Sequence, residues 1–138
     1  METLILAGIA TYPENPKAME HLTKGISLMD SIIVPDYSTK LNGGYNPEGW
    51  AYGSGVRLLQ ILEAFKTGSD IDYYSKLNDW HKNVALATIH SLKPTRDKAY
   101  DGGDWGGDYA GMPPIHSMVM LSYILKGSNI GKYVQYYL

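Results

Sequence analysis

The chain has 138 residues, a formal net charge of −2, 44% hydrophobic residues and no cysteine. That size suits one domain over residues 1–138 with a core of its own, and the missing cysteine excludes disulfides, thiolate catalysis and cysteine-ligated zinc. Lys and Arg are scattered without a basic run, which argues against a nucleic-acid partner.

The first predicted element is a helix over "METLILAGIA", closed by the turn at Pro13. A second helix is expected over "NPKAMEHLTKGISLMDSIIV", with Asn15 as N-cap and Pro16 at the first helical position. Met19, Leu22, Ile26, Met29 and Ile33 recur there at helical spacing, and Pro35 is expected to stop it. Residues 36–46 read as a polar loop with the turn signal "NGG".

The third helix is expected to start near Pro47 or Glu48 and to stop at Gly68. Val56, Leu58, Leu59, Ile61, Leu62 and Phe65 give it a broad apolar stripe. A fourth covers 73–91, with Leu77, Trp80, Val84, Leu86 and Ile89 expected inward and Pro94 ending it. A glycine-rich loop, "RDKAYDGGDWGGDYAGMPP", follows. The fifth helix runs from Pro114 to Lys126 with Ile115, Met118, Val119, Leu121 and Ile124, and "IGKYVQYYL" forms a short sixth. No apolar run has the roughly 18 residues that a membrane helix needs. The opening carries Glu2 and no basic region, so it reads poorly as a secretory signal.

Two segments echo each other. "FKTGSDIDYY" (65–74) and "LKGSNIGKYV" (125–134) each join an outgoing helix to a returning one through Lys, Gly-Ser, Asp or Asn, Ile and Tyr. In this reading glycine stops one helix, and Ser with Asp or Asn caps the next. Two helices and one long loop per period predict an all-α fold of stacked antiparallel hairpins. The long loops then share one rim, which brings "GGYNPEGWAYGSG" (43–55) and "YDGGDWGGDYAG" together.

The aromatic inventory, 12 Tyr and 3 Trp against 1 Phe, favours rings with polar tips. Those suit either a tyrosine-rich core or a surface for polar, ring-shaped ligands. Tyr45 and Trp50 are candidates for stacking on a sugar face and equally for packing. Glu48 and Tyr52, four residues apart, share one helix face near a helix N-terminus, where anions are favoured and Arg57 lies close in sequence. Glu48 is equally a first-turn acid favoured by the helix dipole, and Tyr52 a core ring. Asp101, Asp104 and Asp108 flank Trp105 in a segment that also reads as a glycine-turned polar loop. Of the histidines, His116 opens the fifth helix and belongs to the rim. His21, His81 and His90 read as helix-surface residues, and no metal-ligand spacing or cofactor motif is present.

With "GGYNPEGWAYG" opening an apolar helix and "YDGGDWGG" one hairpin later, the chain resembles the heparinase II/III-like and alginate-lyase-like (α/α) toroids. The resemblance runs through most of the sequence. It implies an incomplete (α/α) toroid-like array of about three hairpins, part of a larger toroid or a reduced form of one. It also implies a polysaccharide-lyase-like activity on acidic oligo- or polysaccharides by β-elimination, with no cofactor. Tyr52 then matches the tyrosine that serves as acid and sometimes base. Tyr52, Glu48 and His116 are the catalytic candidates, and Tyr45, Trp50, Arg57, Asp101, Asp104 and Trp105 the substrate-binding ones. Two alternatives stand beside this reading. One is a glycoside hydrolase using Glu48 and Asp104 as its carboxylate pair. The other is a non-catalytic binding or assembly protein. An open arc leaves apolar faces uncovered at both ends, so a homo-oligomer is expected. As the chain stands the expected location is cytoplasmic, or periplasmic or secreted for a piece of a larger protein.

Overall fold

The structure, a computed structural model, describes residues 2–44, 54–95 and 115–138. Among these every regular element is helical: α1 (Glu2–Thr11), α2 (Ala18–Leu28), a π-helical turn (Met29–Ile33), α3 (Val34–Ser38), α4 (Ser54–Gly68), α5 (Tyr73–Lys76), α6 (Trp80–Ser91), α7 (Ile115–Ile124) and α8 (Asn129–Tyr136). None is long and apolar enough to cross a membrane.

Pro35 does not stop the second helix. α2, the π turn and α3 run on without a break from Ala18 to Ser38. A proline inside a helix offers no N–H to the carbonyl four residues back, and its ring crowds that carbonyl. Here the preceding turn is widened: Val34 N–H donates to the carbonyl of Met29, five residues back, so the ladder is already displaced when Pro35 arrives. The start also differs from the expected one. α2 begins at Ala18, with Lys17 in the N-cap position. Asn15 acts ahead of it, its side-chain oxygen accepting from Lys17 N–H at 2.9 Å.

α1 and α2 form a close antiparallel pair. A Cβ on Gly25 would collide with Ile5, and one on Gly8 would lie 2.8 Å from Leu22 Cγ. α4 packs beside α1 in the same sense, because Gly68 near its end meets Ile9 near the end of α1. α4 also packs on α5 and α7, while α8 packs on α6 and α7. Having neighbours on two sides, α4 buries Leu58, Leu59, Ile61, Leu62 and Phe65. These join Ile5, Met29, Tyr73, Leu77, Trp80, Val84, Met118, Leu121 and Val134 in one continuous core.

The expected fourth helix is two helices. α5 ends at Lys76, and Asn78 (φ 46) and Asp79 (φ 61) take left-handed backbone before α6 starts at Trp80. Asn and Asp tolerate that region best among non-glycine residues. Several apolar side chains of these helices are exposed: Leu86, expected inward or partly so, on α6, Met19 on α2, and Ile115 and Val119, 55% and 52% exposed, on α7. α7 carries apolar side chains on several sides, yet Ser117, Met118 and Leu121 alone are buried in it. Ile115, Val119 and Tyr123 form the stripe that no described element covers.

Candidate functional site

Both long glycine-rich segments attach to helices of this core. Ahead of the first, the chain is pinned to α6. Asn83 Nδ2 donates to the Asn42 carbonyl at 2.8 Å and lies 3.1 Å from Asn42 Oδ1. Gly44 has φ +79, and a Cβ there would run into the backbone of Asn83 and Val84, so only glycine fits. The second segment leaves after α6, where Leu92 and Pro94 adjoin Tyr136 and Tyr137 of α8. The C-terminal ends of α6 and α8 therefore lie together.

α6 begins beside the last turns of α4. Tyr74 O–H donates to Glu63 Oε1 at 2.9 Å, and the Tyr74 and His81 rings meet edge to face at 4.8 Å. α7 is paired with α8 through a tight turn and packs on α4 and α6. Arg57 and His116, in the first two turns of α4 and α7, are both exposed. Tyr45, Glu48, Trp50, Tyr52, Asp101, Asp104, Asp108 and Trp105 fall outside the described residues. So does the expected helix start at Pro47 or Glu48.

Around α5 and the start of α6 lies a cluster that spacing alone did not reveal. Burial pushes the Tyr74 hydroxyl's pKa up, and the Glu63 hydrogen bond and charge push it further. Tyr73, fully buried, is pushed up to about 12, mainly by burial and then by the Asp30 carboxylate. Its hydroxyl lies near Asp30 but outside hydrogen-bonding geometry. Asp30 instead pairs with Lys76 Nζ at 3.0 Å, and that ammonium sits 4.7 Å from the Tyr73 ring centre. His81 is corrected from a surface residue to a half-buried one. Its Nδ1 is buried without a partner, and burial lowers its pKa. His21 is likewise half-buried with an unpartnered Nδ1, whereas His90 is exposed. These arrangements bind the first Gly-Ser turn to α2 and α4, and their tyrosines are protonated at any ordinary pH. They serve as structure rather than as acids or bases.

A further surface went unnoticed in the spacing analysis. One groove on α8 is lined by Asn129, Lys132, Tyr133, Tyr136 and Tyr137. It adjoins the groove at Leu92–Pro94, which shares Tyr136 and Tyr137. The available signal was the "KYVQYY" run, whose tyrosines at positions 133 and 136 share one helix face. Among the described residues no three His, Asp or Glu side chains are gathered to hold a metal ion. Comparison with protein-family models, curated proteins and solved structures finds no match.

Proposed function

We propose that the chain is a carbohydrate-active helical array of polysaccharide-lyase-like type that binds acidic polysaccharide and cleaves it by β-elimination. One observation carries the reading. α4 and α7 pack against each other, and each follows a segment rich in glycine, aromatic rings and carboxylates. In this reading the hairpins α1–α2/α3, α4–α5/α6 and α7–α8 form an arc of an (α/α) toroid. α1, α4 and α7 make one layer, and the rim carries the site.

The chemistry assigned to the rim is proton transfer next to a carboxylate. A base takes the proton from the carbon bearing the uronate group, the bond to the leaving glycosidic oxygen breaks, and a carbon–carbon double bond forms. An acid then returns a proton to that oxygen. Tyr52 is proposed as the proton-transfer group, with His116 and Glu48 beside it, and Arg57 as a cation for the uronate carboxylate. Tyr45, Trp50 and Trp105 supply ring faces, and Asp101 and Asp104 supply acceptors for sugar hydroxyls.

The test is ultraviolet absorbance of the unsaturated product on incubation with uronate polysaccharides. Tyr52→Phe keeps the ring and removes the acid, so binding is expected to survive and the product to vanish. Turnover unchanged in Tyr52→Phe overturns the catalytic assignment. A hydrolase would release reducing ends without the ultraviolet signal. The assembly reading is favoured separately by the stripe Ile115, Val119 and Tyr123 of α7, which no described element covers. Sedimentation of the parent against Val119→Lys tests it: concentration-dependent association is expected in the parent and loss of it in the variant.

A further inference from the structure

The exposed surface of the last hairpin has two different chemistries. On α7 the uncovered stripe is led by the aliphatic side chains Ile115 and Val119. On α8 the exposed groove is built from rings with polar tips, an amide and a cation. Tyr133 and Tyr136, three residues apart on one helix face, are 62% and 68% exposed. An apolar packing face gains little from hydroxyl-bearing rings, whereas a ligand that is flat on one side and polar at its edge uses both parts of a tyrosine. The groove measures about 600 Å³, within the range of small-molecule sites.

Among the described residues lining the two adjoining grooves, the charged ones are Lys132 and Lys93, placed on either side of the shared pair Tyr136 and Tyr137. No acidic side chain is among them. A ligand in the α8 groove thus meets tyrosine rings beside the Lys132 ammonium. The groove also reaches Leu92–Pro94, the point at which "YDGGDWGGDYAG" departs from α6.

We propose that Tyr133 and Tyr136, with Lys132 and Asn129, form an outlying subsite that stacks sugar rings of an acidic oligosaccharide and pairs with its carboxylates. The inference rests on the reading of the chain as a binder of acidic polysaccharide and extends it to a place that reading does not use. It assigns to α8 the part of the polymer that runs past the rim.

The experiment is calorimetric titration of the full chain with a uronic-acid tetrasaccharide, beside a neutral glucose tetrasaccharide and ATP. Alanine is a better helix former than tyrosine, and both rings are exposed, so Tyr133→Ala/Tyr136→Ala is expected to keep its far-ultraviolet helix signal. The expected result is at least a tenfold loss of affinity for the uronate in that variant. Lys132→Gln should weaken binding less and flatten its salt dependence. The neutral sugar should bind more weakly than the uronate. Trp50→Ala/Trp105→Ala separates the two claims. If it loses binding while the tyrosine variant equals the parent, the rim reading stands and this subsite falls. If the tyrosine variant alone loses binding, the subsite stands and the rim reading falls. A parent that binds no uronate overturns both. ATP bound more tightly than the uronate through the same tyrosines overturns the sugar assignment. A tyrosine variant changed in sedimentation and not in affinity makes these rings an interface instead.

Discussion

The turns at 65–74 and 125–134 read alike and fold differently. Aligned on Gly-Ser, Tyr74 matches Tyr133, and the two meet opposite fates. Tyr74 is 8% exposed, donates to Glu63 and touches His81, while Tyr133 stands 62% exposed on the last helix. The glycines differ as well. Gly127 takes φ +85 with open space around it, as a helix stop should. Gly68 ends α4 without positive φ, and Asp70 (φ 57) makes the left-handed step instead. What Gly68 supplies is room for Ile9 of α1. Capping differs too. Ser128 accepts from Gly131 N–H and caps α8, whereas Asp72 and not Ser69 caps α5; both serine hydroxyls also donate back, Ser128 to Leu125 and Ser69 to Phe65. A short motif therefore specifies that the chain turns. The helices facing it decide which residue does which job.

The largest expected effect sharpens this contrast between an enclosed turn and an open one. Phe65 is fully buried, with its ring 4.9 Å from that of Tyr73. Phe65→Ala is expected to destabilise by about 3–5 kcal/mol. Tyr133→Ala should stay within about 0.5 kcal/mol of the parent, as surface changes do. Denaturant midpoints measure both, and equal losses would erase the distinction between the turns.

Next come the glycines. Gly68→Ala pushes a methyl into Ile9 and is expected to cost about 1–3 kcal/mol, the usual scale of overpacking. Gly127→Ala meets nothing but must hold left-handed backbone, at about 1–2 kcal/mol. The mechanisms separate in a double-mutant cycle with Ile9→Ala, which should relieve Gly68→Ala and leave Gly127→Ala unchanged. Additivity in both pairs would show that Gly68 is a conformational stop after all.

Smaller still is the matched loss of one hydroxyl. Tyr74→Phe removes the donor to Glu63 and should cost about 1 kcal/mol, a typical net hydrogen bond. Tyr133→Phe should cost nothing measurable in stability. It should retain most sugar stacking, since the ring remains.

How much was legible follows from the same physics. The helices over 2–11 and 54–68 and the core of α4 could be read because their apolar spacing repeats. The passage through Pro35 could not, because the π turn that accommodates it leaves no mark in periodicity. Nor could the break at Asn78–Asp79, where Leu77, Trp80 and Val84 continue a helical pattern across two left-handed residues. Which side of α7 has a neighbour is tertiary information, so the exposure of Ile115 and Val119 could not be read from their hydrophobicity. At the candidate site the sequence placed His116 on the rim and Arg57 near Tyr52, and both side chains are exposed. It passed over Tyr133 and Tyr136, which resemble packing rings until their exposure is known.

The smallest expected effect concerns pH and again sets the enclosed turn against the open one. His81 is half-buried against Tyr74, and its Nδ1 is buried without a partner. Burial lowers its pKa. The Asp79 and Asp72 carboxylates oppose that shift in part, while the Lys82 and Lys66 ammonium groups add to it. Because the folded pKa lies below the unfolded value of about 6.5, the unfolded chain binds the proton more readily. The neutral-imidazole contribution is complete above pH 6.5 and is lost as the pH falls from there through the folded pKa. The second turn has no histidine, so this slope should belong to the first turn alone. Melting temperatures of the parent are therefore expected to fall more steeply from pH 7 to pH 5 than those of His81→Asn. Parallel curves would mean that the Asp79 and Asp72 carboxylates already compensate the charged ring, and that the enclosure around Tyr74 tolerates it.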